Sequence, residues 1–198
     1  MWNKRLLPYV AMTLLAAQLL LIFLSWIWSA AVPVSGVRSL LSEEGVRWFM
    51  GHYSDMLATP VLVWLLLGAM GWGCFRNSGL LRKPQSYRER RGLLLTAAFV
   101  ICYTGIVLLL TVMPHAVLLS ASGTLWPSPF SASIVPVVAF GLLSAGIVYG
   151  TVAGTYASPA DVYNSLLSGL HHFVPLLLFY VLAAQLYFSF IFVYFRMG

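Results

Sequence analysis

The chain has 198 residues, of which 61% are hydrophobic and only 8% charged, with a formal net charge of +6. Soluble domains average roughly 25% charged residues, so a soluble enzyme or binding module is excluded. The basic excess is concentrated beside apolar segments and reads as a membrane-topology signal, not as a nucleic-acid surface.

Five apolar stretches, near residues 6–30, 57–75, 92–113, 131–153 and 171–195, contain no acidic residue. A bilayer core takes ~20 helical residues to cross. In lipid every backbone N–H and C=O must be paired within the protein, so apolar runs of this length read as helices. The expected fold is an all-α integral membrane protein with about five transmembrane helices and two short interfacial helices, a single transmembrane domain over residues 1–198.

The first stretch, Leu6 to Ala30, follows Lys4 and Arg5 and ends near Trp26 and Trp28, the aromatic belt expected at an interface. Its apolar core is too long for a typical cleaved signal peptide and reads as a retained anchor. Pro33 and Gly36 break it. In residues 39–50, Leu40, Leu41, Val46, Phe49 and Met50 alternate with Glu43, Glu44 and Arg47. This segment reads as a helix lying at the membrane surface, with Ser42 as a cap. Glu43 and Glu44 are placed to pair with Arg47 one turn on.

The second span starts after Pro60 and closes in GAMGWGCF, where Gly68, Gly71 and Gly73 remove side-chain bulk. A basic connection follows, with Arg76, Arg82, Lys83, Arg88, Arg90 and Arg91, and then the third span. Counting Lys4 and Arg5 with this connection against Arg38, Arg47 and Arg196 gives eight cations to three. The positive-inside rule therefore puts the N-terminus and this connection in the cytoplasm and the C-terminus outside. A basic segment this near lipid also attracts anionic headgroups. Cys74 and Cys102 then sit in no oxidising compartment and read as packing residues without a disulfide.

The outer loop 114–130 has no formal charge and holds Pro114, His115, Trp126, Pro127 and Pro129. The fourth span carries GIVYGTVAG. Gly146, Gly150 and Gly154, spaced by four, read as a doubled G-x-x-x-G on one helix face, a pattern that lets backbones approach closely. Whether that face meets another helix of this chain or a second copy is left open. In residues 157–173, Ser158 reads as N-cap, Pro159 as the first helical position and Asp161 as the acidic third position of a second short surface helix. The fifth span follows it. PVLVWLLLGAMGWG (60–73) and PVVAFGLLSAGIVYG (136–150) share a faint likeness, the kind that duplicated carrier halves leave.

Chemistry-bearing residues are few. Asp161 is the one acid of the C-terminal half and reads as a cap. His171 and His172 point about 100° apart on a helix, and His52 and His115 read as isolated outer-loop residues, so no metal set is expected. Gln18 and Gln185 are the polar side chains in mid-membrane, candidates for interhelical hydrogen bonds or for lining a polar pathway. No G-x-S-x-G, P-loop, H-E-x-x-H or cysteine-pair motif occurs, and no cofactor is implied.

Several segments resemble the p-aminobenzoyl-glutamate transporter (AbgT) family of bacterial inner-membrane carriers. They are LLSEEGVRW (40–48), GAMGWG followed by NSGLL (77–81), ERRG (89–92), PSPFSASIVP (127–136), GIVYGTVAGTYASPADV (146–162) and VLAAQLYF (181–188), in the family's order. The resemblance implies a multi-pass protein of the inner (cytoplasmic) membrane. Family members are more than twice as long and hold most substrate and ion contacts in two re-entrant hairpin blocks. Here NSGLL runs almost directly into ERRG, and the sequence stops soon after VLAAQLYF. What remains resembles the family's inner scaffold, through which such carriers dimerise, and no family binding residue is carried over. The expectation is a non-transporting scaffold or accessory subunit, partnered in the bilayer by a second copy or another membrane protein. The alternative is a secondary transporter for an organic anion.

Overall fold

The computed structural model of the chain describes residues 6–32, 36–112 and 129–195. Lys4, Arg5, Pro33, Pro114, His115, Trp126, Pro127 and Arg196, invoked above, lie outside the described residues. Among these residues all regular structure is helical: α1 (Leu6–Ala31), α2 (Glu43–Leu57), α3 (Pro60–Asn77), α4 (Tyr87–Val112), α5 (Pro129–Ala153) and α6 (Pro159–Tyr194). Five segments are long and apolar enough to cross a membrane, with α2 and α3 together forming one of them.

The start of α6 follows from its sequence. The carboxylate of Asp161 accepts from the amides of Ala157 and Ser158, both at 2.9 Å, and from the Ser158 hydroxyl. Those donors are amides that a helix start leaves without intrahelical partners. They hold the Asp161 carboxyl, in the exposed first turn ahead of the apolar stretch, below its ordinary value. The separate surface helix expected over 157–173 is not observed. The helix that starts at Pro159 runs unbroken for 36 residues, about 54 Å at 1.5 Å per residue, with Pro175 inside it. Proline removes one backbone bond, which a membrane helix tolerates when neighbours or local adjustments satisfy the freed group.

The start of α4 lies earlier than the apolar stretch alone indicates. The amides of Gln85 and Ser86 donate to Glu89 Oε2 at 2.7 and 3.4 Å, the backward reach of an N-terminal Glu. The helix therefore begins inside the basic connection, at Tyr87. Pro60 opens α3, whereas Pro136 lies inside α5, so the two prolines of the faint internal likeness hold unlike positions.

In the structure the helices group into two compact units: residues up to Leu62 together with those from Val174 on, and residues Val63–Phe173. In the first unit Leu21, Leu40, Phe192 and Val193 form a small buried core, flanked by Ile22, Val37, Trp48 and Leu186. Trp48 stacks on Phe192 with ring centroids 4.3 Å apart. Arg38 sets its guanidinium over the same ring and its amide donates to the Val193 carbonyl at 3.1 Å. Ser42 caps α2 by accepting from the Gly45 amide at 3.1 Å, and Arg47 pairs with Glu43 at 2.6 Å. Glu44 instead faces Arg38 at 3.8 Å. His52 belongs to α2, not to a loop, because that helix continues to Leu57.

Candidate functional site

The second unit is built on close backbone approach. At Gly71 a Cβ would come within 2.8 Å of the Ala139 carbonyl oxygen, and at Gly146 within 2.9 Å of the Cys74 carbonyl, so α3 and α5 touch backbone to backbone. At Gly73 a Cβ would meet Gly169 Cα at 2.6 Å, and Gly169 in turn lies against Ala69 and Gly73. The first turns of α6 therefore pack on α3 as tightly as α5 does. Among membrane helices such contact replaces the missing hydrophobic drive with packing and weak polar interactions.

Gly150 is used differently. Its open side is filled by the ring of Tyr156, from the connection just after α5. The Tyr156 hydroxyl donates to the Cys74 carbonyl at 2.9 Å, and its amide donates to the Gly150 carbonyl at 2.9 Å. Tyr156 thus ties the end of α5 to the end of α3. Gly154 departs from its expected place. It follows the last residue of α5 with φ +83°, a left-handed conformation that glycine adopts without strain, and so terminates the helix. It does not extend the Gly146–Gly150 face. Gly68 meets nothing within 4 Å among the described residues.

α4 also packs on α5, running antiparallel to it. Gly92 sits against Tyr149 and Ala153, and Gly141 against the ring of Tyr103. The Tyr103 hydroxyl donates to the Val137 carbonyl at 2.8 Å.

Gln18 belongs to the first unit. Its Nε2 donates to Ser189 Oγ at 3.0 Å, while its Oε1 is buried with no partner among the described residues. It borders a small apolar cavity of about 120 Å³ with Ile22, Leu40, Val46, Phe49 and Met50. Gln185 stands one turn before Ser189 on α6, half-buried. The two glutamines flagged in the sequence are therefore not bonded to each other; Gln18 pairs with the serine beyond Gln185. Nearly two turns along α1 from Gln18, Ser25 is fully buried, donates to the Ile22 carbonyl at 2.8 Å and accepts from the Leu40 amide at 3.2 Å. Tyr180 donates to the Leu57 carbonyl at 2.8 Å and shares a hydrogen bond with Thr59, fixing the α2–α3 corner.

Gly169, Tyr156, Ser189 and Tyr180 do not stand out in the sequence, and Ser25 does so only as a residue at the end of the first span. For Gly169 a signal was present: Ser165 and Gly169 make a small-x-x-x-small pair. It was obscured by reading this segment as a surface helix. Among the described residues no three His, Cys, Asp or Glu come together as a metal-sized group.

Five segments long and apolar enough to cross a membrane, with α3 in backbone contact with both α5 and the start of α6, define a multi-pass helical membrane protein. The family model described as "AbgT putative transporter family" matches residues 82–198, more than half of the sequence. The chain belongs to the AbgT transporter family. The segments ERRG, PSPFSASIVP, GIVYGTVAGTYASPADV and VLAAQLYF fall inside the matched residues, whereas LLSEEGVRW and NSGLL precede them. No curated protein and no solved structure matches the chain.

Proposed function

We propose that this protein is a scaffold or accessory component of an AbgT-type membrane complex in the bacterial inner membrane, holding a partner in place without carrying substrate alone. The observation that carries this reading is the direct join between α3 and α4. Residues 78–86 form a compact connection, closed by the Ser78 amide on the Cys74 carbonyl at 3.0 Å and by Glu89 at the start of α4. It holds no re-entrant helix of the kind that the family resemblance places at this point. The absence of any acid from the five apolar stretches agrees, since intramembrane carboxylates commonly mark ion-coupled pathways.

The backbone contacts of Gly71, Gly73, Gly146 and Gly169 support a rigid second unit, a mechanical requirement of a scaffold. The exposed apolar faces of α1 and α4, and the open side at Gly68, are then available to lipid or to a partner chain. Native mass spectrometry of the protein drawn mildly from its own membrane tests the reading. A complex with a second copy or a different membrane protein is expected; a bare protomer at all detergent concentrations would refute it.

The family assignment favours one alternative: a secondary transporter of p-aminobenzoyl-glutamate or another organic anion, acting as a homo-oligomer or with a separate chain. Gln18, whose Oε1 has no partner among the described residues, and Gln185 are the polar groups such a pathway would use. Uptake abolished by Gln185→Leu would favour it.

A further inference from the structure

We propose that the cleft between the start of α4 and the end of α5 is a binding site for one anionic phospholipid. The cleft has a volume of about 530 Å³ and is lined by Arg88, Arg91, Leu94, Leu95 and Val152. Arg88 and Arg91 stand one turn apart and share a helix face. Arg88 reaches over Gly154, its Nη1 lying 3.7 Å from where a Cβ at that position would be. Arg91 lies over the Tyr87 ring at 5.5 Å. The ion pairs among the described residues are Arg38–Glu44 and Arg47–Glu43, so neither arginine of the cleft is neutralised by a carboxylate. Glu89, between them in sequence, is occupied by the amides of Gln85 and Ser86.

The other half of the cleft is apolar and open. Leu94 is 71% exposed and Leu95 54%, and residues 92–112 of α4 carry no charge. The boundary between charge and hydrocarbon thus falls inside the cleft, between Arg91 and Leu94. Two guanidiniums above and three aliphatic side chains below match a phosphodiester joined to acyl chains. A free anion would use only the upper half. A zwitterionic headgroup would bring an ammonium against two arginines that pair with no carboxylate among the described residues. Arginine forks suit phosphate oxygens, and basic clefts at helix ends take anionic headgroups.

The test is native mass spectrometry of the full chain in mild detergent, titrated with phosphatidylglycerol or phosphatidylcholine. The wild type is expected to retain one phosphatidylglycerol and to bind phosphatidylcholine far more weakly. Arg88→Gln/Arg91→Gln is expected to weaken phosphatidylglycerol binding about 30-fold, from about 1 kcal/mol per arginine near the lipid surface. Arg82→Gln/Lys83→Gln removes the same charge from the same connection outside the cleft and is expected to bind as the wild type does. Val152→Trp keeps both arginines but fills the cleft, and is expected to lose the lipid as well. Equal losses in the two double variants would mean bulk charge attraction and overturn the proposal. So would full retention by Val152→Trp, or phosphatidylcholine bound as tightly.

Discussion

The hydroxyl of Tyr156 donates to the backbone carbonyl of Cys74 at 2.9 Å, across 82 residues of sequence, while its ring covers Gly150. One side chain thereby fills the glycine face of α5 and fastens the end of α3. The Cys74 carbonyl also accepts from the Ser78 amide at 3.0 Å, so it keeps a partner if the tyrosine hydroxyl is removed. Tyr156→Phe is therefore expected to destabilise the protein by only about 1 kcal/mol. Tyr156→Ala opens a cavity over Gly150 and is expected to lose about 3–5 kcal/mol, the range for removing a buried aromatic ring. Unfolding of the two variants in detergent checks the ordering; equal losses would mean that the ring contributes nothing beyond its hydroxyl.

Gly150→Leu puts a side chain where the Tyr156 ring sits. The expected result is a less stable protomer, by about 1–3 kcal/mol for overpacking, with the oligomeric state of the folded fraction unchanged. A variant that melts like the wild type yet loses its partner on size-exclusion chromatography would show that Gly150 faces another chain.

Gly169→Leu and Gly68→Leu make a contrasting pair. The first drives a side chain into the backbone of Ala69 and Gly73, which cannot yield as a flexible side chain does; the second meets open space among the described residues. Gly169→Leu is expected to abolish stable expression, and Gly68→Leu to leave the melting temperature within about 2 °C, as for substitutions away from packed features. Thermal unfolding measured on both variants decides it, and a severe loss at Gly68 would contradict the packing described.

Gln18 and Ser189 are coupled by one hydrogen bond in the first unit. A double-mutant cycle with Gln18→Leu and Ser189→Ala is expected to give a coupling of about 0.6–1 kcal/mol, the size found between membrane helices. Gln185→Leu, combined with Gln18→Leu, is expected to be additive. A cycle showing Gln18 coupled to Gln185 and not to Ser189 would overturn this assignment.

The membrane spans were legible because lipid enforces a single rule: long uncharged runs become helices. The caps were legible at Ser42, just before α2, and at Asp161, in the first turn of α6. Two boundaries were not. Glu89 starts α4 within a basic run that topology rules treat only as charge, and the polar segment 157–173, which reads as a surface helix of its own, is the start of α6. The glycines were visible, but their partners were not: spacing by four marks a small face without saying what fills it. Gly146 meets a helix of the same chain, Gly150 meets a side chain, and Gly154 ends the helix. Ser189 and Ser25 were hidden because a serine in an apolar run usually bonds within its own helix. Only the fold brings Ser189 to Gln18 and Ser25 to Leu40.

The most direct test of the scaffold role is flux through liposomes containing this chain alone, loaded to report uptake of p-aminobenzoyl-glutamate and proton movement. On the scaffold reading, uptake and proton flux equal those of protein-free liposomes, with the protein shown to be folded by its unfolding transition. Substrate uptake above that level, saturable and lost in Gln185→Leu, would contradict it and make the chain a transporter in its own right.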